Sequence, residues 1–190
     1  NFGLLDLHVL CLSVSPSFAR DETLFVGTES NVFRSTNGGR AWREASFPAE
    51  FAPVISLVLS PGYAMDGVLF AGTESCGLFR SGDQGRTWAR VGEAAIGGAV
   101  NGLVLSPEFP AKADILALLE AALLVSRDGG QSWSNWPAAV AMEPGLSAVA
   151  APRGLDPGAP LLVGRVGGGV LRFEIADCGL RNDSEIRNPP

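Results

Sequence analysis

The feature that most constrains this chain is a repeat with a period of about 45 residues. A Ser-Pro pair recurs at Ser15-Pro16, Ser60-Pro61 and Ser106-Pro107, with Ala151-Pro152 as a degenerate fourth copy. A short apolar run precedes each pair, at residues 9–14, 54–59, 100–105 and 146–150. Two more runs follow each of the first three, at 23–28 and 31–35, 68–73 and 77–81, and 115–120 and 122–126. In the last copy they fall at 161–165 and 170–173. A second marker keeps the same spacing: STNGGRAW at 35–42, SGDQGRTW at 81–88 and SRDGGQSW at 126–133. A fourth copy of this octapeptide is placed at 175–182, where Asp177 and Gly179 keep their positions while Ser and Trp are lost.

Each unit thus carries about four short strands, which at this period is the pattern of propeller blades. The octapeptide has the chemistry of a hairpin turn. Its Asp or Asn accepts hydrogen bonds from nearby backbone N–H groups. Its Gly tolerates a positive φ, and its Trp opens the next strand with a large apolar ring to bury between sheets. The expected fold is all-β, a β-propeller of about four blades at 9–45, 54–91, 100–136 and 146–187, in a single domain spanning 1–190. The ring is either complete, with residues 1–8 closing against the fourth blade, or part of a larger one. Residues 113–126 (ADILALLEAALLVS) read as helix by propensity, but the repeat places a strand hairpin there.

Composition narrows the function classes. The net charge of −6 and the lack of a Lys/Arg cluster argue against nucleic acid as a partner. The longest charge-free run, 51–65, is broken by Pro53 and Pro61 and is too short for a membrane span. Three cysteines, none in a CxxC pair, and one histidine cannot assemble a recognisable zinc site. No metal or other cofactor is expected. Cys11 and Cys178 are the better pair if one disulfide forms; otherwise Cys11 is a small buried hydrophobe. The chain opens on Asn1, so it reads as processed, trimmed or a fragment. Residues 4–19 lack a basic lead and carry Asp6, and they read as mature structure rather than a signal peptide.

The octapeptides resemble Asp-boxes, also called bacterial neuraminidase repeats. These are found in sialidases, the sortilin ectodomain, xyloglucan-degrading enzymes and a photosystem II assembly-factor family, all β-propellers. The residues that carry the resemblance are Ser35, Asn37, Gly39 and Trp42, then Ser81, Asp83, Gly85 and Trp88, then Ser126, Asp128, Gly130 and Trp133, with Asp177 and Gly179 in the decayed copy. The phrase SPxFxxDxxLFxGT at 15–28 and 60–73, with Tyr63 in the Phe position, is similar to one in bacterial propeller proteins. The resemblance covers about 9–180 and implies the fold. It does not imply an activity.

A sialidase-like site would need an arginine cluster, a tyrosine nucleophile with a glutamate partner, and an aspartate acid/base. Tyr63 is the sole tyrosine and stands where Phe18 and Phe109 stand, so it reads as a packing aromatic. Arg34 and Arg80 occupy equivalent positions and read as blade structure. Asp21 and Asp66 recur in the loop after the first strand, Lys112 replaces them in the third copy, and they read as loop caps. No catalytic residue is assigned, although twenty acids leave carboxylate pairs for a glycosidase open.

Strand direction puts the turn between the second and third strands at the end opposite the octapeptide. Glu29, Glu74 and Glu120 sit in or beside that turn and form a candidate acidic arc for a basic peptide or a cation. The connections 45–53, 92–99 and 137–145 open at the same end and carry Phe47, Phe51 and Met142, with Trp136 alongside. These four are read either as an exposed apolar binding patch, with Trp136 foremost, or as loops folded back on the blades. The preferred reading is a non-catalytic binding or assembly module for another protein, or one that self-associates to complete a ring. The alternatives are a carbohydrate-active propeller (glycosidase or lectin-like) and a structural subunit of a larger complex. The Asp-box resemblance implies an extracytoplasmic location.

Overall fold

The computed structural model describes residues 2–48, 52–136, 144–176 and 179–186. The chain divides into two compact units, Asn1–Val100 and Asn101–Pro190. In the first unit β1 (Val9–Val14), β2 (Leu24–Thr28), β3 (Val32–Ser35) and β4 (Arg43–Glu44) form one antiparallel sheet in chain order. A second sheet has the same order: β5 (Val54–Leu59), β6 (Leu69–Thr73), β7 (Leu78–Ser81) and β8 (Ala89–Val91). The second unit repeats the plan with β9 (Gly102–Leu105), β10 (Ile115–Leu118), β11 (Leu123–Ser126) and β12 (Ser134–Asn135). Its other sheet is β13 (Leu146–Ala150), β14 (Pro160–Arg165), β15 (Val170–Ala176) and β16 (Gly179–Ile186). The helix-prone stretch 113–126 is a hairpin, because its leucines are buried on both faces of a sheet and tertiary burial overrides propensity.

Within each unit one sheet lies face to face on the next. In the first, Phe25, Val32, Ala45 and Phe47 cluster with Val54, Leu59, Tyr63, Leu69 and Phe79. The Phe25 and Tyr63 rings meet edge to face at 5.9 Å. The LFxGT phrase has its reason here. A Cβ on Gly27 would stand 2.5 Å from the Val54 carbonyl oxygen, and one on Gly72 would stand 2.2 Å from the Ser56 hydroxyl. The glycines allow β5, and the residues around Val100, to lie directly on the strand before them. In the second unit Leu116, Leu118 and Trp136 pack on Leu161, Val163 and Phe173.

Three octapeptide turns share one hydrogen-bond plan. The buried Ser81 hydroxyl donates to Asp83 Oδ1 (2.8 Å) and accepts the Gly85 N–H (2.9 Å). Asp83 accepts the N–H and hydroxyl of Thr87 at 2.8 and 2.6 Å. Ser35 with Asn37 and Ser126 with Asp128 repeat it. The tryptophans then diverge. Trp88 donates to the Ala45 carbonyl of the preceding sheet, whereas Trp42 and Trp133 donate to Gly39 and Gly130 of their own turns.

The fourth octapeptide is not a turn of this kind. Strand β15 runs on to Ala176, which pairs with Gly179 at the start of β16, so residues 175, 176 and 179–182 belong to paired strands. Ile175, in the serine position, is a buried core residue and offers no hydroxyl to organise a turn. Asp177 lies outside the described residues. The Ser-Pro loops close as single helical turns, α1 (Phe18–Asp21) and α2 (Tyr63–Asp66). Among the described residues no helix is long and apolar enough to cross a membrane.

Two outcomes are expected. Ser81→Ala leaves the buried Gly85 N–H without its acceptor and lowers unfolding free energy by about 1–3 kcal/mol in urea titrations. The Thr87 hydroxyl foremost holds Asp83 at about 2, below its ordinary 3.8, and Ser132 holds Asp128 lower still. A lowered folded-state pKa gives stability that is present above the ordinary value and lost on acidification. Melting temperature should therefore fall as pH drops from about 4 towards 2, and less steeply in Asp83→Asn.

Candidate functional site

Residues 2–8 form a strap over the face of the first sheet turned away from the second. Phe2 bridges to Ala41 in parallel, and Leu4 packs on Val26, Phe33 and Trp42. Asp6 then ties the strap to the β2–β3 turn, accepting the Ser30 N–H at 3.0 Å and hydroxyl at 2.7 Å. It also accepts the His8 N–H at 3.0 Å. The Ser30 hydroxyl foremost lowers its pKa to about 2, so Asp6 accepts these hydrogen bonds as a carboxylate across the physiological range. The strap packs on the first sheet, where Val26 and Phe33 offer it an apolar seat.

Beside the strap lies an open groove of about 830 Å³. Leu5, Leu7, Leu10 and Ile55 give it an aliphatic floor, and Glu29 and Glu74 stand at its edge. The His8 Nδ1 lies 3.3 Å from Glu29 Oε2. On β1 itself Leu12 and Val14 are exposed. Repeat-equivalent residues show that this exposure is not inherent in the strand. Val9, Val14 and Phe18 are 43%, 45% and 36% exposed, whereas Val54, Leu59 and Tyr63 are at 0%, 6% and 2%. The latter three lie under the first sheet.

The predicted site residues separate accordingly. Glu29 and Glu74 share the groove. Glu120 is exposed in the second unit, where its carbonyl accepts the N–H groups of Gly145 and Leu146 at 3.0 Å. The expected patch of Phe47 and Trp136 is corrected: both are buried. Phe47 packs edge-on against Phe79 at 4.8 Å and Trp88 at 5.2 Å, which fold its loop back on the second sheet. Trp136 belongs to the second unit's core, with the Arg127 guanidinium 5.7 Å from its ring centroid. Phe51, Met142 and Cys178 lie outside the described residues. Cys11 donates its thiol to the Val54 carbonyl at 3.3 Å, and burial raises its pKa to about 11.

Other sequence candidates are structural. Asp21 and Asp66 accept the Ser15 and Ser60 hydroxyls at 2.6 Å and cap their loops at the Thr23 and Val68 N–H groups. Tyr63 is buried, and that burial pushes its hydroxyl up to about 12, far from a nucleophile's needs at neutral pH. Arg34 and Arg80 lie over the rings of Phe25 and Phe70 at 5.7 and 6.0 Å. Among the described residues no three His, Cys, Asp or Glu side chains gather into a metal site. Sequence reasoning missed the strap leucines, Asp6 and His8. The run LLDLHVLCLSV at 4–14 was their signal, since it is longer than one six-residue strand requires.

No protein-family model and no curated protein matches the chain. Solved structures do. A GH74 xyloglucanase from Xanthomonas campestris is 24% identical, with a TM-score of 0.71 over 99% of this chain and 32% of that one. An auxiliary nutrient binding protein from Bacteroides thetaiotaomicron is 10% identical, with a TM-score of 0.69 over 98% of this chain and 42% of that one. YCF48, solved bound to D1 peptide, is 12% identical, with a TM-score of 0.63 over 95% of this chain and 55% of that one. The fold is that of a β-propeller, and the sheets are its blades. At these identities the likeness concerns fold, and it is shared by a glycosidase and by binding proteins. The chain spans about a third of the length of the xyloglucanase it matches.

Asp6→Ala should release the strap while the blades stay folded. Hydrogen exchange at the Ser30 amide is expected to accelerate, with protection of the β6 amides unchanged.

Proposed function

We propose that the chain is a non-catalytic β-propeller module of the Asp-box type, serving protein binding and assembly through the open face of its first blade. The observation that carries this reading is the contrast between Val9, Val14 and Phe18 and their buried equivalents Val54, Leu59 and Tyr63. A blade face of this sequence pattern is covered, inside the first unit, by another blade. The occupant of the open face is accordingly a blade from a second copy of this chain, working towards a completed ring. Covering the half-exposed aliphatic side chains of β1 contributes roughly 1 kcal/mol apiece. Glu29 and Glu74 at the groove's edge favour a partner with basic residues there. The similarity to a propeller solved with a bound peptide supports peptide or protein recognition. The location that fits this reading is extracytoplasmic.

A second reading, a carbohydrate-active propeller, is favoured by the likeness to the xyloglucanase and by two carboxylates sharing one groove. Its apolar lining is aliphatic, which suits protein side chains better than stacking on sugar rings.

Light scattering across a concentration series tests the first reading. Wild type is expected to gain mass with concentration, while Leu12→Asp stays at the mass of one chain. A wild type that remains monomeric throughout sinks the second-copy assignment. Release of reducing sugar from xyloglucan, abolished by Glu29→Gln or Glu74→Gln, would favour the enzyme.

A further inference from the structure

A separate cavity of about 800 Å³ opens at the octapeptide end of the first unit, beside Thr36, Asn37 and Gly85. Arg34, Arg43 and Arg86 line it, and Glu44 is the one acid among its lining residues. In the β3–β4 pairing Arg34 stands directly opposite Arg43. Like charges so placed repel. The repeat does not impose this arrangement, because the equivalent Arg80 stands opposite Ala89.

No described carboxylate lies within ion-pair distance of Arg34 or Arg43. Neither Arg43 nor Arg86 forms an ion pair with a described carboxylate, whereas Arg40, in the neighbouring turn, is held by Glu22 at 2.8 Å. Arg34 is fixed in place. It donates to the Gln84 carbonyl and side-chain oxygens, both at 3.2 Å, while its buried Nε has no partner among the described residues. Gln84 holds a φ of 66°, where the sister turns use Gly38 and Gly129 at 67° and 75°. A side chain in this left-handed region carries a backbone cost. It is tolerated here where it aims two acceptors at Arg34, and such strain gathers at functional positions.

We propose that this cavity binds the carboxylate of an acidic ligand. Arg34 is the anchored guanidinium, and Arg43 and Arg86 are the exposed ones that engage the ligand. The planar fork of a guanidinium matches a carboxylate bidentately, and an anion between Arg34 and Arg43 removes their mutual repulsion. Phe2 and Trp42 also line the cavity. They favour a carboxylate on a carbon skeleton over a bare inorganic anion. This site stands independently of the groove and of any self-association.

Calorimetric titration with triglutamate, and in parallel with inorganic phosphate, tests the proposal on wild type, Arg43→Gln/Arg86→Gln and Arg40→Gln. Triglutamate should bind wild type and Arg40→Gln alike, about tenfold more weakly to the double variant, and less tightly in high salt. Equal affinity for wild type and the double variant overturns the site. Phosphate binding as tight as triglutamate overturns the carboxylate assignment. Melting gives a second readout. Without ligand, Arg43→Gln should melt at or above the wild-type temperature, because the like-charge pair is gone. With saturating triglutamate the order should reverse, and an unchanged order counts against the proposal.

Discussion

A four-stranded sheet of this size has two apolar faces, and it cannot cover either by itself. The first unit shows what that constraint produces when it is met. Phe25, Val32 and Phe47 of one blade lie on Leu59, Tyr63 and Phe79 of the next, and Gly27 gives up its side chain so that Val54 can come close. On the first blade the same sequence pattern behaves differently. Phe18 is exposed in the place where Tyr63 is buried, and Leu4 of the strap is recruited to shield Val26 and Phe33. The strap is a local cover for that face, and the groove beside it is shared with residues of the second sheet.

Polar groups at the blade ends follow a second rule, that each buried hydroxyl must find partners. The serine of the octapeptide and the serine of the Ser-Pro loop are both buried, and each is paired with a carboxylate or amide two or six residues on. The third repeat shows how the rule survives substitution. Lys112 has replaced the loop aspartate, and the buried Asp114 beside it accepts from Arg127 at 2.6 Å and faces Lys112 at 3.7 Å. The Lys112 ammonium also reaches Asp156 of the following blade. One charge has been reversed and the local balance restored.

Charge is unevenly distributed within the first unit. Asp6, Glu29 and Glu74 collect at the β2–β3 turn end, and Arg34, Arg43 and Arg86 at the octapeptide end. A net charge of −6 conceals this, since a sum over the chain carries no position.

The amino-acid sequence by itself determined the fold class, the strand order and the three working turns. Each of these follows from residues close in the chain, repeated at a fixed period, and the period outweighed even the helical propensity of 113–126. It also placed Glu29 and Glu74 at one end, because strand direction alone decides that. Only the tertiary structure decided which apolar residues are covered. Phe47 and Trp136, which the sequence leaves open between an exposed patch and loops folded back on the blades, are core, while Leu12 and Val14 read as ordinary strand residues and are exposed. Burial depends on what lies across the sheet, which no local pattern records. The pairing of Arg34 with Arg43 was hidden for the same reason: nine positions apart, they meet only through the register of β3 on β4.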